Sequence, residues 1–243
     1  MADLDLRFIG TGNAFAPGGL CWNGFVLEGR YLFEAPPQAL QSLNAMKIDA
    51  NDLDAVVLSH HHGDHFLGLP FLFLQWKYSK RTRPVRIIGP RGTKELATQI
   101  GRQVYPGLFD TRFEIEWDEL TGGEVATAGA LKVCAANVKH DQRLSGTLGF
   151  GIEIAGRRLG YTGDSALCDA VLDLARDSEV LVSECASVDE TADVHMNLRD
   201  DIPVVRAAMK PGTRLILTHL GPGVAAGDLA GVEVAQDFGV YRV

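Results

Sequence analysis

One short segment constrains this chain more than any other feature, because four of its seven histidines lie within six residues, His60-His61-His62-Gly63-Asp64-His65. The segment follows the continuous apolar run Leu53–Leu58, which predicts a buried strand. Protonatable rings crowded in this way repel one another unless a shared metal ion keeps them neutral. If the backbone after the strand is extended, His60 and His62 project to the same side and can reach one ion. Asp64 and His65 then open a helix and can reach a neighbouring ion.

The alternative interpretation is a polar turn between a strand and a helix, with Asp64 capping the helix. A metal site also requires ligands from distant parts of the chain, and the sequence offers them at the ends of other predicted strands. The candidates are His140, Asp164 and His219. Their presence favours metal binding over a simple turn.

The hydrophobic periodicity predicts an α/β protein in which strands and helices alternate. Helices are predicted at residues 38–46, from about 66 to Tyr78, at 166–176 and at 200–209. No low-complexity linker divides the chain, so residues 1–243 are expected to form one domain, a four-layer αββα sandwich. The predicted strands are 4–9, 24–28, 31–34, 53–58, 85–88, 113–117, 131–136, 150–154, 158–161, 180–183 and 215–218.

Charge and composition exclude several classes of protein. The formal net charge of −8 argues against a protein that coats nucleic acid, since phosphate contacts need an excess of Lys and Arg. One basic run without acidic residues extends from Lys77 to Lys94. It is interpreted either as a solvated helix end and strand rim or as the rim of a site for an anionic substrate.

The start of the chain, Met1-Ala2-Asp3-Leu4-Asp5, has no basic region followed by a long apolar stretch, and no apolar run is long enough to span a bilayer. The four cysteines are far apart and form no CxxC pair, which suits buried structural thiols in a reducing compartment. We therefore expect a cytoplasmic protein that does not contact a membrane. The cysteines are Cys21, Cys134, Cys168 and Cys185.

The segment Ser59-His60-His61-His62-Gly63-Asp64-His65 resembles the HxHxDH signature of metallo-β-lactamase-fold hydrolases. Phe8-Ile9-Gly10-Thr11-Gly12 is similar to the opening strand of the ribonuclease Z-like branch of that superfamily. The later signatures of the family are matched by His140, by Asp164 within Tyr161-Thr162-Gly163-Asp164-Ser165, and by His219. The resemblance thus covers nearly the whole chain.

The resemblance implies a site for two divalent metal ions. One ion would be held by His60, His62 and His140, the other by Asp64, His65 and His219, and Asp164 would bridge them. Zinc is the expected metal, although manganese and iron also accept histidine and carboxylate ligands. His61 is expected to point away from the site.

One position departs from the family pattern. Where the family usually has Asp-Gly after an early strand, this chain has Phe33-Glu34-Ala35-Pro36-Pro37. Glu34 would then replace an aspartate that supports the metal ligands, which changes local geometry but not metal binding.

His195 matches in position a histidine that ribonuclease Z-like phosphodiesterases use near the scissile phosphate. The resemblance therefore predicts hydrolysis of a phosphodiester by hydroxide held between two metals, with Asp64 as ligand and proton acceptor and His195 as general acid or phosphate contact. The alternative for His195 is a lone surface histidine. The alternative function is hydrolysis of a lactone, ester or thioester on the same fold. A non-catalytic binding module is disfavoured because it would not need the full ligand set.

Only 23 residues separate His140 from Asp164, an interval in which tRNA-processing relatives carry an inserted arm that grips tRNA. This spacing and the acidic charge favour a small anionic phosphodiester, a cyclic nucleotide or a short RNA over tRNA. Because ribonuclease Z-like relatives are commonly dimers, a homodimer is expected, with the apolar segment Phe66 to Trp76 as its interface.

Overall fold

The computed structural model describes residues 3–190, 193–225 and 230–243 and contains two seven-stranded β-sheets. Met1 and Ala2, which belong to the start used to predict the location, lie outside the described residues. The strand order is β14-β1-β2-β3-β4-β5-β6 in the first sheet and β13-β12-β11-β10-β9-β8-β7 in the second. The first sheet contains β1 (Asp5–Gly10), β2 (Gly24–Leu27), β3 (Tyr31–Phe33), β4 (Ala55–Val57), β5 (Val85–Pro90), β6 (Ile115–Leu120) and β14 (Val240–Arg242). The second contains β7 (Val125–Ala128), β8 (Leu131–Asn137), β9 (Leu148–Ile154), β10 (Arg157–Tyr161), β11 (Val180–Glu184), β12 (Arg214–Thr218) and β13 (Val232–Val234).

Helices cover the outer face of each sheet. One apolar cluster fills the space between the sheets, a second lies between the first sheet and its helices, and a third lies between the second sheet and its helices. These layers confirm the predicted four-layer αββα sandwich. The first sheet is covered by α1 (Ala39–Ala45), α2 (Gly63–Phe66), α3 (Leu69–Tyr78) and α4 (Thr93–Val104), and the second by α5 (Asp169–Asp177) and α6 (Asp201–Ala208). Within the described ranges, no helix has the length and apolar character needed to cross a bilayer.

The topology brings the carboxyl ends of several strands to one edge of the molecule. Strands β10, β11 and β12 are parallel, and β8 runs in the same direction because β9 is antiparallel to both β8 and β10. Backbone hydrogen bonds join the two sheets at this edge, from Leu148 N to Ser59 O at 2.9 Å and from Leu220 N to Thr11 O at 2.7 Å. Loops that follow strands of both sheets therefore meet there.

Several elements differ from the sequence-based expectation. Helix α4 and strands β7, β13 and β14 were not predicted. The helical segment after His65 is divided into α2 and α3 at Gly68, which is pressed against the chain before α1, since a Cβ there would lie 2.1 Å from Pro36 O. Helix α5 begins at Asp169, because the amide of Ala166 is used in a bridge to Lys139 O at 2.7 Å.

The basic run between Lys77 and Lys94 is largely used inside the fold. Arg81 is 5% exposed, and Arg86 and Arg91 form ion pairs with Glu116 and Glu124. These contacts favour the structural interpretation of the run over a substrate rim. The expectation that all four thiols are buried holds only for Cys185. Cys21 and Cys168 are partly exposed, and Cys134 is exposed on the outer face of β8.

Candidate metal centre

The histidine-rich segment turns from β4 into α2. His62 is the last extended residue, with φ −63° and ψ 149°, and the helix begins at Gly63. This geometry directs His60 into the interior, where it is fully buried, and leaves His62 partly exposed at the mouth of the site. Asp64 then lies in the first turn of α2, followed by the fully buried His65.

Three histidine rings converge at the first half of the site. The Nδ1 atom of His62 lies 3.0 Å from His60 Nε2 and 3.1 Å from His140 Nε2. His140 follows β8, and its Nδ1 faces the carbonyl oxygen of Val194 at 2.9 Å, which leaves Nε2 directed at the other two rings. The trio predicted from the sequence, His60, His62 and His140, is thus brought together with ligand atoms within 4.8 Å of one another.

The second predicted trio converges beside the first. Asp64 Oδ2 lies 3.3 Å from His65 Nε2 and 3.6 Å from His219 Nε2. His219 follows β12 and has a φ of 51°, so the chain turns sharply immediately after the strand. Asp64, His65 and His219 form a group with metal-ligand spacing.

Asp164 lies between the two trios, as the bridging role requires. Its Oδ2 atom is 3.1 Å from His219 Nε2 and 3.4 Å from His65 Nε2 on one side. On the other side it is 3.8 Å from His60 Nε2 and 4.0 Å from His140 Nε2. One carboxylate oxygen therefore faces both halves of the site.

The residues fit divalent cations, because several buried polar atoms of the cluster have no other partner among the described residues. His65 Nε2, His219 Nε2 and Asp164 Oδ1 are buried and make no hydrogen bond within the described part of the chain. A buried polar atom left without a partner costs about 1–3 kcal/mol. Ligation of a cation would satisfy these atoms, and neutral imidazole with carboxylate is a donor set suited to zinc, manganese or iron.

The protonation states differ between the candidate ligands. Burial alone would lower the pKa of His65, but the charges of Asp164 and Glu34 raise it well above its usual value, so a cation would displace its proton on binding. Burial and the neighbouring charge of His65 lower the pKa of His60 well below its usual value, so His60 is neutral at pH 7. Burial alone would raise the pKa of Asp164, but His219 and His65 hold it well below its usual range. In the same way, burial alone would raise the pKa of Asp64, but the neighbouring rings of His219 and His65 hold it well below its usual range. Both carboxyl groups are therefore ionised.

Glu34 lies beneath the site with a positive φ of 64° and is fully buried. Its Oε1 atom is 3.5 Å from His65 Nδ1, and Oε2 accepts a hydrogen bond from the amide of Ser59 at 3.3 Å. The departure from the family pattern therefore places a carboxylate against a candidate ligand, as the sequence suggested.

His195 also reaches the cluster. Its ring centroid is 4.8 Å from that of His140 and 5.4 Å from that of His219. Its Nδ1 atom lies 2.8 Å from Oε1 of Glu184, a residue at the end of β11 that is 1% exposed. Burial alone would lower the pKa of His195, but the hydrogen bond and charge of Glu184 raise it to about 9.

Glu184 was missed by the sequence analysis. An available signal was an acidic residue at the carboxyl end of the buried strand β11, between the strands that supply Asp164 and His219. His61, by contrast, lies where expected, outside the cluster. Its Nε2 atom is 2.8 Å from Thr93 Oγ1, and its ring packs against Phe66.

Comparison with known families now adds to this geometry. Residues 29–220 match the family described as the beta-lactamase superfamily domain. This chain belongs to the beta-lactamase superfamily. Ribonuclease Z of Methanosarcina acetivorans is 26% identical to this superfamily member over 275 residues, covering 89% of this chain and 87% of the relative.

Solved structures show the same superfamily fold. The metallo-beta-lactamase fold protein YhfI of Bacillus subtilis aligns with a TM-score of 0.81 at 21% identity, covering all of both chains. The short form of human tRNase Z aligns with a TM-score of 0.77 at 22% identity, covering 98% of each chain. Superfamily membership and the ribonuclease Z relative support a metal-dependent hydrolase.

Proposed function

We propose that the protein is a metal-dependent phosphodiesterase that acts on a small phosphodiester, a cyclic nucleotide or a short RNA. The observation that carries the proposal is the pair formed by His195 and Glu184 beside the two trios of candidate ligands. A phosphodiester leaves an alkoxide, which benefits from a positioned proton donor. A thioester leaves a thiolate, which does not. Esters and lactones also leave an alkoxide, and similarity to ribonuclease Z favours the phosphodiester over them.

Two divalent ions would be held by the seven residues His60, His62, Asp64, His65, His140, Asp164 and His219. When bound, such ions lower the pKa of a shared water and stabilise charge that develops on the attacked centre. Their ligands come from loops of both sheets, which supports the prediction that residues 1–243 act as one hydrolase domain.

The chain itself supplies the proton chemistry. His195 is protonated at neutral pH, and Glu184 fixes its Nδ1, so the free Nε2–H can donate to the leaving oxygen. Bound cations would repel the protonated ring and lower its pKa from about 9 toward the working pH. A proton donor is most efficient when its pKa lies near the pH at which the enzyme works. Asp64, held ionised at the mouth of the site, is the candidate proton acceptor for the attacking water.

The proposed preference for a small substrate is supported by chain length. The alignment with the ribonuclease Z relative spans 275 positions but contains only 89% of the 243 residues of this chain, about 216, so the relative carries segments that are absent from the aligned part of this chain. The loop between β8 and β9, residues 138–147, leads directly from His140 back to the sheet. Arg143 in this loop pairs with Asp141, whose Oδ2 lies 3.5 Å from His62 Nε2.

The test is a hydrolysis panel on metal-assayed protein, comparing a bis-aryl phosphate, cyclic nucleotides, pre-tRNA, lactones and thioesters. The proposal expects the highest kcat/KM on a small phosphodiester or cyclic nucleotide. Turnover confined to lactones or thioesters would transfer the assignment to the alternative function. Homodimer formation and a cytoplasmic location stay predictions from the sequence. The expected interface, Phe66 to Trp76, was largely wrong, because most of its apolar side chains pack inside the molecule and only Leu67 and Phe71 are exposed.

A further inference from the structure

A chain of buried hydrogen bonds crosses the otherwise apolar space between the two sheets, directly beneath the candidate metal centre. The hydroxyl of Tyr161 donates to Glu34 Oε1 at 2.8 Å and accepts from Asn23 Nδ2 at 2.9 Å. The Oδ1 atom of Asn23 in turn accepts from the hydroxyl of Thr218 at 2.6 Å. All four residues are at most 1% exposed. We refer to Glu34, Tyr161, Asn23 and Thr218 as the inter-sheet chain.

In the inter-sheet chain, every hydrogen bond joins one donor to one acceptor. A carboxylate accepts, a phenol donates to it and accepts from an amide NH2, and the amide oxygen accepts from a hydroxyl. Burying an amide or a hydroxyl without such a partner would cost several kcal/mol. The sequence therefore specifies one arrangement of these four side chains.

The ends of the inter-sheet chain contact residues next to the candidate ligands. Glu34 lies against His65 and Ser59, while Thr218 immediately precedes His219. Tyr161 ends β10, three residues before Asp164. Two members, Asn23 and Glu34, flank strands of the first sheet. The other two, Tyr161 and Thr218, end strands of the second sheet. The inter-sheet chain therefore links the two halves of the molecule that supply the candidate ligands.

We propose that Tyr161 and Asn23 are positioning residues that set the distance between His65, on the first sheet, and His219, on the second. This inference rests on the proposed metal centre. Both histidines belong to the ion site completed by Asp64. The trio His60, His62 and His140 makes no direct hydrogen bond with the inter-sheet chain among the described residues, and its one recorded link is indirect, through Ser59, whose hydroxyl lies 2.8 Å from His60 Nδ1. Breaking the inter-sheet chain should therefore lower the metal affinity of the site that contains His65 and His219 more than that of the other site.

The variant Tyr161→Phe tests this with little change in shape. The ring stays packed edge-on against Phe25 and Phe33, whose centroids lie 5.2 and 6.1 Å away, and only the hydroxyl is lost. Tyr241→Phe is the matched control. Its hydroxyl accepts from the amide of Gln236 at 3.1 Å, in a position remote from the candidate ligands.

Metal-stripped proteins would be titrated with Co²⁺ and followed by calorimetry and by the visible absorption of the bound ion. The variant Asp64→Ala identifies which binding step belongs to the site of His65 and His219. Tyr161→Phe is expected to weaken that step about 10-fold or more and to alter its absorption bands, because a partner that supports a ligand typically contributes 10–100-fold to metal affinity. The other step, and both steps in Tyr241→Phe, should match the wild type. Asn23→Leu should weaken the same step.

Three results would overturn the inference. Unchanged Co²⁺ affinity and absorption spectrum in Tyr161→Phe would remove the positioning role of Tyr161. If the wild type still bound two ions, the proposed function would be unaffected by that result. Equal weakening of both steps, with a lower unfolding temperature of the metal-stripped variant, would indicate a merely structural contact. No Co²⁺ uptake by the wild type would instead overturn the proposed metal centre and this inference with it.

Discussion

The charge state of His195 depends on one buried carboxylate. Glu184 lies 2.8 Å from its Nδ1 and raises its pKa to about 9, although burial alone would lower it. Glu184 also accepts a hydrogen bond from the amide of Ser165, next to Asp164, at 2.7 Å. A single acidic side chain thus connects the candidate proton donor to the candidate bridging ligand.

Replacement of His195 by Ala is expected to lower kcat for a bis-aryl phosphodiester about 100-fold or more, because the leaving oxygen loses its proton donor. Metal content should not change, and steady-state kinetics with metal analysis measures both. His61→Ala is the control, since His61 lies outside the cluster and should retain wild-type turnover. Equal activity of His195→Ala and the wild type would remove the role of His195.

Replacement of Glu184 by Gln should move the alkaline limb of the pH–kcat profile to lower pH. His195 must be protonated to donate, so activity falls as pH rises through its pKa, and the loss of the Glu184 charge lowers that pKa. A shift of about 1 pH unit or more is expected, the usual effect of an adjacent opposite charge. An alkaline limb that stays in place would show that another group controls it.

The sequence was sufficient to name the candidate ligands that the fold brings together, but not the residues that lie behind them. The seven candidate ligands follow strand ends in an order that a specific motif reveals. Glu184 and Tyr161 are the last residues of β11 and β10, and their roles depend on which strands become neighbours. That pairing is a property of the fold, which local sequence does not encode.

Among the elements, the connection between α3 and β5 depends on Arg81. Its guanidinium donates to the carbonyl oxygens of Asn51, Leu53, Arg83 and Pro84, each at 2.7–2.8 Å. It also lies over the ring of Trp76, 5.5 Å from the centroid. Arg81, which belongs to the basic run, therefore holds the segment before β4 against the segment before β5 and does not face a substrate site.

Arg81→Met should lower the free energy of unfolding by about 2–4 kcal/mol, since several buried carbonyl groups lose their donor. Urea denaturation measures this, and Arg83→Met, at a half-exposed neighbouring arginine, is the matched control with an expected change below about 1 kcal/mol. Turnover per folded molecule should not change in either variant. Loss of turnover in folded Arg81→Met would revive the substrate-rim interpretation.

The predicted elements succeeded where the apolar pattern was strong and failed where it was weak. Strands β4, β11 and β12 each contain three consecutive apolar residues and were found within two residues of their ends. Helix α4 was missed because the residues it buries most completely are small ones, Thr93, Ala97 and Gly101. Strand β14 has three residues and pairs only at the edge of the first sheet, so its existence depends on the finished fold.

The candidate metal centre takes its ligands from both sheets, so bound ions should raise the free energy of unfolding of the whole molecule. Chelation of the ions would leave buried His and Asp side chains without partners and remove the stabilisation that tight binding gives the folded state. An unfolding temperature lower by about 10 °C after chelator treatment is expected for a chain of this length. Differential scanning calorimetry measures the shift, and His219→Ala is the control that should show little further change on chelation. An identical unfolding temperature with and without chelator would contradict the prediction.

In the proposed site, residues from both sheets enclose a pair of divalent ions. A crystal structure of the natively purified protein, with anomalous difference maps collected at metal absorption edges, would locate these ions. Two peaks about 3.5–4 Å apart are expected, with Asp164 between them. One peak should be ligated by His60, His62 and His140, and the other by Asp64, His65 and His219. A map without anomalous density among these side chains would contradict the two-metal site.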